Sequence, residues 1–381
     1  MLDTKHSNAG VIEIVRIVIF SAITPLALLV APVLTGQLMA QFALSPDQVG
    51  TYFLFELGGL SLATIPALWW TRRWEPKQIA MVAALIFICG NVASVFADHL
   101  HLLYMVRLIT AMAGGALMIL CLNAAAASPN SDRMFGFWVT GQLVLGAMGL
   151  ALLPRLFQIF GLDAFFVLTA LLMALAFPLV FGFAPRRQPD DSRPSPAVFN
   201  PVPIIIAMVI LTLYYLAVSG SWSFMTLVAQ RASIAELQAS DQVATASLFG
   251  IAGAVAAALL GGRVPRTLVL FAGFVVLISS MLLLSWKAAT CFFVAVCLFK
   301  FAWTFALPAI LAVIGDHNAD ASAMSWSNLV IGSSSAVAPA IAGALIAWRG
   351  SSAMLLVEAL VAGVSFLLVM ALHRRARPGS D

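Results

Sequence analysis

The chain has 381 residues, of which 62% are hydrophobic and only 9% are charged, against about 25% charged residues in a typical soluble domain. A soluble fold of this length has too little interior to hide so much apolar surface, so the composition excludes a soluble protein and predicts that the surplus faces lipid. The net charge of +4 and the pI of 9.1 are basic. The basic residues lie in loops between apolar runs, where membrane topology accounts for them without a nucleic-acid partner.

Twelve apolar runs follow one another along the chain, each near the length of about 20 residues that a helix needs to cross the hydrocarbon core. They predict an all-α membrane protein with about twelve transmembrane helices, at 14–40, 49–70, 78–97, 100–125, 134–154, 162–183, 203–228, 243–262, 267–286, 289–314, 322–347 and 352–372. The first run is too long for a signal-peptide core, and no small-residue cleavage site follows it. We therefore expect a retained first helix.

A polar segment divides these runs into two sets of six. Residues 185–201 contain three arginines, two aspartates and five prolines, a composition typical of a solvated linker. We predict an N-terminal six-helix half at 1–184, a cytoplasmic linker at 185–201 and a C-terminal six-helix half at 202–381.

The distribution of lysine and arginine predicts the orientation. Thirteen lie on the side that the two termini share, namely Lys5, Arg72, Arg73, Lys77, Arg133, Arg186, Arg187, Arg193, Arg263, Arg266, Arg374, Arg375 and Arg377. Four lie on the other side, namely Arg155, Arg231, Lys287 and Arg349. Because short cytoplasmic loops are enriched in these residues, we expect a multi-pass protein of the cell membrane, most simply a bacterial inner membrane, with both termini cytoplasmic.

The two halves also share a sequence pattern. An offset of 194 residues aligns Asp47 with Asp241, and the same offset aligns Phe55 with Phe249 and Gly59 with Gly253. This repeat coincides with the linker and with the six-plus-six count. Parallel halves of this kind are typical of secondary transporters.

Three segments give the chain a resemblance to the major facilitator superfamily. Residues 31–34 (APVL) with 44–50 (LSPDQVG) are similar to its first-to-second-helix connection, and residues 107–115 (RLITAMAGG) resemble its fourth helix. The loop at 71–77 (TRRWEPK) keeps the basic character of the family but lacks its aspartate and glycine. The resemblance implies two pseudo-symmetric six-helix halves, a monomer, alternating access, and a central cavity lined by helices 1, 4, 7 and 10.

Three ionisable residues inside the predicted spans are functional candidates, because charge is costly at membrane depth. Glu56 and Arg107 lie at similar depths on helices 2 and 4 and predict an ion pair. It has two interpretations, a structural lock or a proton-coupling carboxylate whose arginine helps to bind substrate. Lys300, one residue from the repeat position of Arg107, predicts a second cation facing the cavity; the alternative is a lysine that snorkels or pairs with another carboxylate.

Polar and aromatic side chains extend this candidate substrate site. They are Gln142, Tyr215, Trp222, Trp303, Trp326 and Asn328. Tyr215 and Trp222 are seven residues apart and share a helix face, as do Lys300 and Trp303 at a spacing of three. For the aromatic residues, packing against lipid or neighbouring helices is the alternative role. Cations beside aromatic rings favour an organic anion with an apolar or aromatic body.

Two further sets of charged residues carry less functional information. Glu13 and Arg16, three residues apart at the start of helix 1, predict a local ion pair. Glu358 in helix 12 has no role that the sequence explains.

Motifs for other chemistries are missing from the sequence. It contains no Gly-x-x-x-x-Gly-Lys-Ser/Thr loop for ATP, no zinc-ligand spacing and no nucleophile with a base, so we expect no cofactor, no metal and no enzyme activity. The pattern favours a proton-coupled secondary transporter (a symporter) of a small organic anion. An exporter of amphipathic drugs or lipids by proton antiport is the alternative within the same fold. A non-transporting membrane receptor or scaffold is the alternative of another class.

Overall fold

The computed structural model describes residues 2–128, 130–183, 201–286, 288–317 and 321–375. In that part of the chain all regular structure is helical. The helices are α1 (Leu2–Ile23), α2 (Leu26–Leu29), α3 (Ala31–Phe42), α4 (Pro46–Leu62), α5 (Thr64–Arg73), α6 (Pro76–Val95), α7 (Leu100–Ala126), α8 (Ser131–Phe160), α9 (Asp163–Ala176), α10 (Pro201–Ser223), α11 (Met225–Arg231), α12 (Glu236–Leu260), α13 (Arg266–Leu284), α14 (Ala289–His317), α15 (Ala321–Arg349) and α16 (Ser351–Arg375). A 3₁₀ helix, Phe177–Gly182, extends α9.

Ten stretches of helix within the described residues are long and apolar enough to cross a membrane. They correspond to predicted spans three to twelve. The first two predicted spans, 14–40 and 49–70, are present as shorter consecutive helices, α1 to α3 and α4 to α5. The prediction of an all-α membrane protein with about twelve transmembrane helices is confirmed.

Prolines account for the breaks in these first two spans. A proline has no backbone N–H and clashes with the carbonyl four residues before it, so it kinks or ends a helix. Pro154, Pro308 and Pro339 lie inside α8, α14 and α15 without ending them, whereas the prolines of the first two spans accompany breaks. α1 ends two residues before Pro25, α2 ends three residues before Pro32, and α4 ends four residues before Pro66. The predicted span seven is also divided, into α10 and α11 at Phe224, where no proline is present.

The chain forms two compact units. Unit 1 comprises residues 1–30 and 52–189, and unit 2 comprises residues 31–51 and 190–381. The segment 31–51 therefore packs with the C-terminal helices, although it lies early in the chain. The halves at 1–184 and 202–381 stay predictions, and the predicted linker lies outside the described residues apart from Pro201.

Each unit has its own apolar core. In unit 1, a buried cluster joins α1, α6, α7 and α9 through residues such as Phe20, Phe87, Leu117 and Met173. In unit 2, α10 packs against α15 and α16, while α14 packs against α12 and α13. Large apolar side chains remain exposed on the outer helix faces, where lipid replaces water as the solvent.

Within unit 2, two threonines donate hydrogen bonds to backbone carbonyls where segment 31–51 meets the C-terminal helices. Thr35 on α3 donates its hydroxyl to the carbonyl of Ser223 at 2.6 Å. Thr226 on α11 donates to the carbonyl of Pro32. Both bonds tie the broken first span to the broken seventh span, and Pro32 and Thr226 are themselves 194 residues apart.

Glycines allow α4 to approach α15 closely in unit 2. A Cβ on Gly50 would lie 2.5 Å from the carbonyl oxygen of Pro339, closer than packed atoms tolerate. A Cβ on Gly343 would overlap the carbonyl of Pro46. Small residues at helix contacts are the usual device for close packing in membranes.

We expect Gly50→Ala and Gly343→Ala to destabilise the protein because the added methyl group forces these helices apart. The cost of such overpacking is typically about 1–3 kcal/mol, and it is measured as a lower unfolding temperature in detergent. Gly363→Ala on α16 is the matched control, since its Cβ meets no atom within 4 Å. Equal unfolding temperatures for Gly50→Ala and the control would contradict this account of the contact.

Candidate functional site

Small residues bring α4 and α7 together around the charged pair of unit 1. A Cβ on Gly59 would lie 2.6 Å from the carbonyl oxygen of Leu108, so the two backbones are nearly in contact. Glu56 lies one turn before Gly59, and Arg107 directly precedes Leu108. The close approach therefore places the carboxylate beside the guanidinium.

Glu56 and Arg107 form a two-pronged ion pair, as the sequence predicted. Nε of Arg107 lies 2.5 Å from Oε2 of Glu56, and Nη2 lies 2.6 Å from Oε1. Both side chains are buried, with Arg107 only 1% exposed. A planar guanidinium matches a carboxylate in this geometry, which a lysine does not reproduce.

Side chains from helices α6 and α9 also contact Arg107. Nη1 donates to Oδ1 of Asn91 at 2.9 Å and to Oγ of Ser94 at 3.3 Å. The guanidinium lies over the ring of Phe166, 5.1 Å from its centroid. Every nitrogen of the guanidinium thus has a partner inside unit 1. The sequence analysis did not predict Asn91 and Ser94 as partners of Arg107. Two polar side chains one turn apart in an apolar helix are the pattern that could have indicated them.

Unit 2 repeats this helix contact between α12 and α14. A Cβ on Gly253 would overlap the carbonyl of Phe301, and Thr304 donates to the carbonyl of Gly250 at 2.7 Å. Lys300 directly precedes Phe301, just as Arg107 precedes Leu108. The two cations therefore occupy equivalent places, each within its own unit.

Lys300 lies between two indole rings. Its Nζ is 3.7 Å from the ring centroid of Trp222 on α10 and 4.1 Å from that of Trp303 on α14. The two indoles meet edge to face at 6.2 Å, and Lys300 is 4% exposed. Such contacts stabilise a cation by about 0.5–2 kcal/mol, far less than its burial costs.

The Lys300 ammonium has no ion-pair partner within 4.0 Å among the described residues. The repeat explains this, because the offset of 194 places Gly250 where unit 1 has Glu56. Unit 1 neutralises its buried cation, and the described residues of unit 2 provide no carboxylate for the equivalent cation.

Two tyrosines of α10 interact with Trp303, one through its backbone and one through its side chain. Tyr214 donates its hydroxyl to the carbonyl of Trp303 at 2.7 Å. The side chain of Tyr215 interacts with the side chain of Trp303. Of the eight predicted substrate-binding residues, the structure thus gathers Tyr215, Trp222, Lys300 and Trp303 in one place.

Of the remaining predicted residues, Gln142 lies in unit 1, and two others have side chains that the structure does not describe. Gln142 on α8 donates to the carbonyl of Ser21 at 3.0 Å, the carbonyl that Pro25 leaves without a helical donor. Trp326 and Asn328 lie on α15, but their side chains are outside the described part. Among the described residues, no group of three or more His, Cys, Asp or Glu side chains is placed to hold a metal ion.

Glu13 and Arg16 do not form the predicted ion pair at salt-bridge distance, although the Glu13 carboxylate attracts the Arg16 guanidinium from further away. The guanidinium of Arg16 instead lies over the ring of Phe183, 5.0 Å from its centroid, and Glu13 is not within 4.0 Å of it. Stacking on a buried ring and contact with the end of the 3₁₀ helix compete successfully with a pair at the membrane surface.

The profile of the Major Facilitator Superfamily matches residues 17–212, just over half of the chain. Among curated proteins, none matches the sequence.

Solved transporter structures share the fold. A variant of the nucleoside transporter NupG gives a TM-score of 0.72 at 13% identity, and the match covers 94% of this chain and 98% of that one. A bacterial homologue of the human lysosomal transporter Spinster, in an inward-facing and unoccupied conformation, gives 0.70 at 13% identity, with coverages of 97% and 98%. At these identities the likeness concerns the fold alone.

Proposed function

Because the chain belongs to the Major Facilitator Superfamily, a family of secondary transporters, we propose that it carries a small organic anion with an apolar or aromatic body, by alternating access and coupled to protons. The observation that carries this proposal is Lys300, a buried ammonium between two indoles with no counter-charge among the described residues. A bound carboxylate would supply the missing charge.

The aromatic side chains favour a ligand with an apolar or aromatic body. Trp222 and Trp303 offer flat apolar surfaces beside the cation, and Tyr215 adds a polar edge. Apolar walls with a few convergent polar groups are typical of small-molecule sites. Arg107, Gln142, Trp326 and Asn328 stay candidate substrate contacts, with Arg107 available only when Glu56 releases it.

The proposal is tested on purified protein with matched aromatic acids and their amides. We expect the acids to raise the unfolding temperature and the amides to have little effect, because only the acids neutralise Lys300. The stabilising acids are then followed in liposomes with and without a pH gradient. Stabilisation by amphipathic cations or lipids instead would favour the exporter alternative, and the absence of any flux would favour a receptor or scaffold.

Glu56 is proposed as the proton-coupling carboxylate. Proton binding to Glu56 would cancel its charge and free two N–H groups of Arg107. We expect Glu56→Gln, which keeps an acceptor oxygen, to lose accumulation driven by a pH gradient while downhill exchange of substrate continues. Accumulation and exchange are measured on the same liposomes. Retained accumulation in this variant would reduce Glu56 to a structural role.

A further inference from the structure

A second buried carboxylate lies in unit 2, away from the Glu56–Arg107 pair. Glu358 on α16 is only 5% exposed. Its Oε2 accepts a hydrogen bond from the hydroxyl of Ser221 on α10, and its Oε1 occupies the space that a side chain at Gly220 would fill. The carboxyl group is thus fitted to the backbone of α10 at one particular glycine.

No cation neutralises Glu358 among the described residues. Helix α16 packs against α10, α11, α13, α14 and α15. The titratable groups described on these helices and on α16 itself are Tyr214, Tyr215, Arg231, Arg266, Cys291, Cys297, Lys300, Arg349, His373 and Arg374. None of the cations lies within 4.0 Å of the Glu358 carboxyl oxygens. A group so placed at membrane depth fits its surroundings as the neutral acid, since an isolated buried carboxylate is costly.

A single turn of α10 connects this carboxyl group to the Lys300 site. Ser221 binds Glu358, and the next residue, Trp222, lies over the Lys300 ammonium. On the same turn, Ser219 donates to the carbonyl of Ser335 on α15 at 3.2 Å, and the carbonyl of Ser223 accepts from Thr35. The turn therefore contacts α3, α14, α15 and α16, and the residue that binds Glu358 directly precedes the residue that contacts Lys300.

We propose that Glu358 is a second proton-binding site, which controls the position of Trp222 over Lys300 through the Ser221 hydrogen bond. With its proton bound, Glu358 fits against Gly220 and holds this turn of α10 in place. Loss of the proton to water leaves a carboxylate that needs hydration, and the turn must move to provide it. The functional meaning of this coupling rests on the proposed substrate site at Lys300. Proton binding by Glu358 itself is testable without any substrate.

The test is the infrared carbonyl stretch of protonated carboxyl groups in purified protein, titrated with pH and without ligand. We expect Glu358→Gln to lose one band that Glu56→Gln and Ser365→Ala retain. Ser365→Ala is the matched control, because Ser365 also joins α16 to α10 through a bond to the carbonyl of Ile210 but binds no proton. A band that is unchanged in Glu358→Gln, or that does not titrate at all, would overturn the proton site.

Coupling to Lys300 is read from the same band in Lys300→Met and in Trp222→Phe. We expect its titration midpoint to shift by about one pH unit, a tenfold change in proton affinity that lies within the usual range for coupled sites. An unchanged midpoint in both variants would overturn the coupling. Failure of acids to bind at Lys300 would instead contradict the proposed substrate and leave these infrared results standing.

Discussion

Lys300→Met is expected to weaken the binding of an aromatic carboxylate about tenfold to a hundredfold, while its amide analogue binds nearly as before. The loss of one charge-assisted hydrogen bond typically costs about 1.5–3 kcal/mol, which corresponds to that change in affinity. Methionine keeps an unbranched apolar side chain between Trp222 and Trp303, so the variant removes the charge with little change in packing.

Two further variants show whether the effect comes from the ammonium itself. Lys300→Arg keeps the charge but replaces a compact ammonium by a wider planar group, so we expect partial binding of the acid. Arg263→Met removes an exposed cation of the same unit and controls for the overall field of the protein. Affinities for the acid and the amide are measured by titration calorimetry.

The acid-to-amide ratio decides between the two transporter hypotheses. If Lys300→Met weakens both ligands equally, or neither, then Lys300 does not recognise the charge of the substrate. The indoles would then act as an apolar surface, and the exporter of amphipathic compounds would become the better account.

The charged pair of unit 1 was predictable from the sequence because the position of a residue within a predicted span gives its approximate depth in the membrane. Glu56 and Arg107 lie at similar depths on neighbouring helices, and an isolated charge at that depth is costly. Their lateral partners depend on how each helix is rotated, which a single apolar sequence leaves undetermined. This is why Asn91 and Ser94 were missed.

The Lys300 site was predictable only in part. The spacing of three residues places Trp303 on the same helix face as Lys300, and the repeat offset relates Lys300 to Arg107. No local pattern brings Trp222 from α10 over the ammonium, since that contact depends on the packing of α10 with its neighbours. The interaction of Glu358 with Ser221 was hidden for the same reason.

The breaks in the first two spans could not be predicted from proline alone, because Pro154, Pro308 and Pro339 lie inside the continuous helices α8, α14 and α15. Pro25, Pro32 and Pro66 lie inside runs that were predicted as continuous spans, and the helices end shortly before each of them. The packing of residues 31–51 with the C-terminal helices of unit 2 is a different case. Neighbours in sequence usually pack together, and the contacts of Thr35 and Gly50 with the C-terminal helices are tertiary.

The second large effect concerns the stability of the Glu56–Arg107 pair, and the two single variants are expected to differ. Glu56→Leu leaves a guanidinium that cannot lose its proton, buried and without a counter-charge. Breaking a buried pair in this way typically costs about 3–5 kcal/mol. Arg107→Met leaves a carboxyl group that can bind a proton and become neutral, so it should cost less. Unfolding temperatures in detergent measure the difference.

The double variant Glu56→Leu with Arg107→Met separates a structural role from proton coupling. Replacing both members of a buried pair by apolar side chains is often neutral or stabilising, so we expect the double variant to unfold near the wild-type temperature. If the pair couples protons, the double variant remains folded but no longer accumulates substrate against a gradient. Wild-type accumulation in a stable double variant would show that the pair only locks the helices of unit 1, and proton coupling would then have to be sought at Glu358.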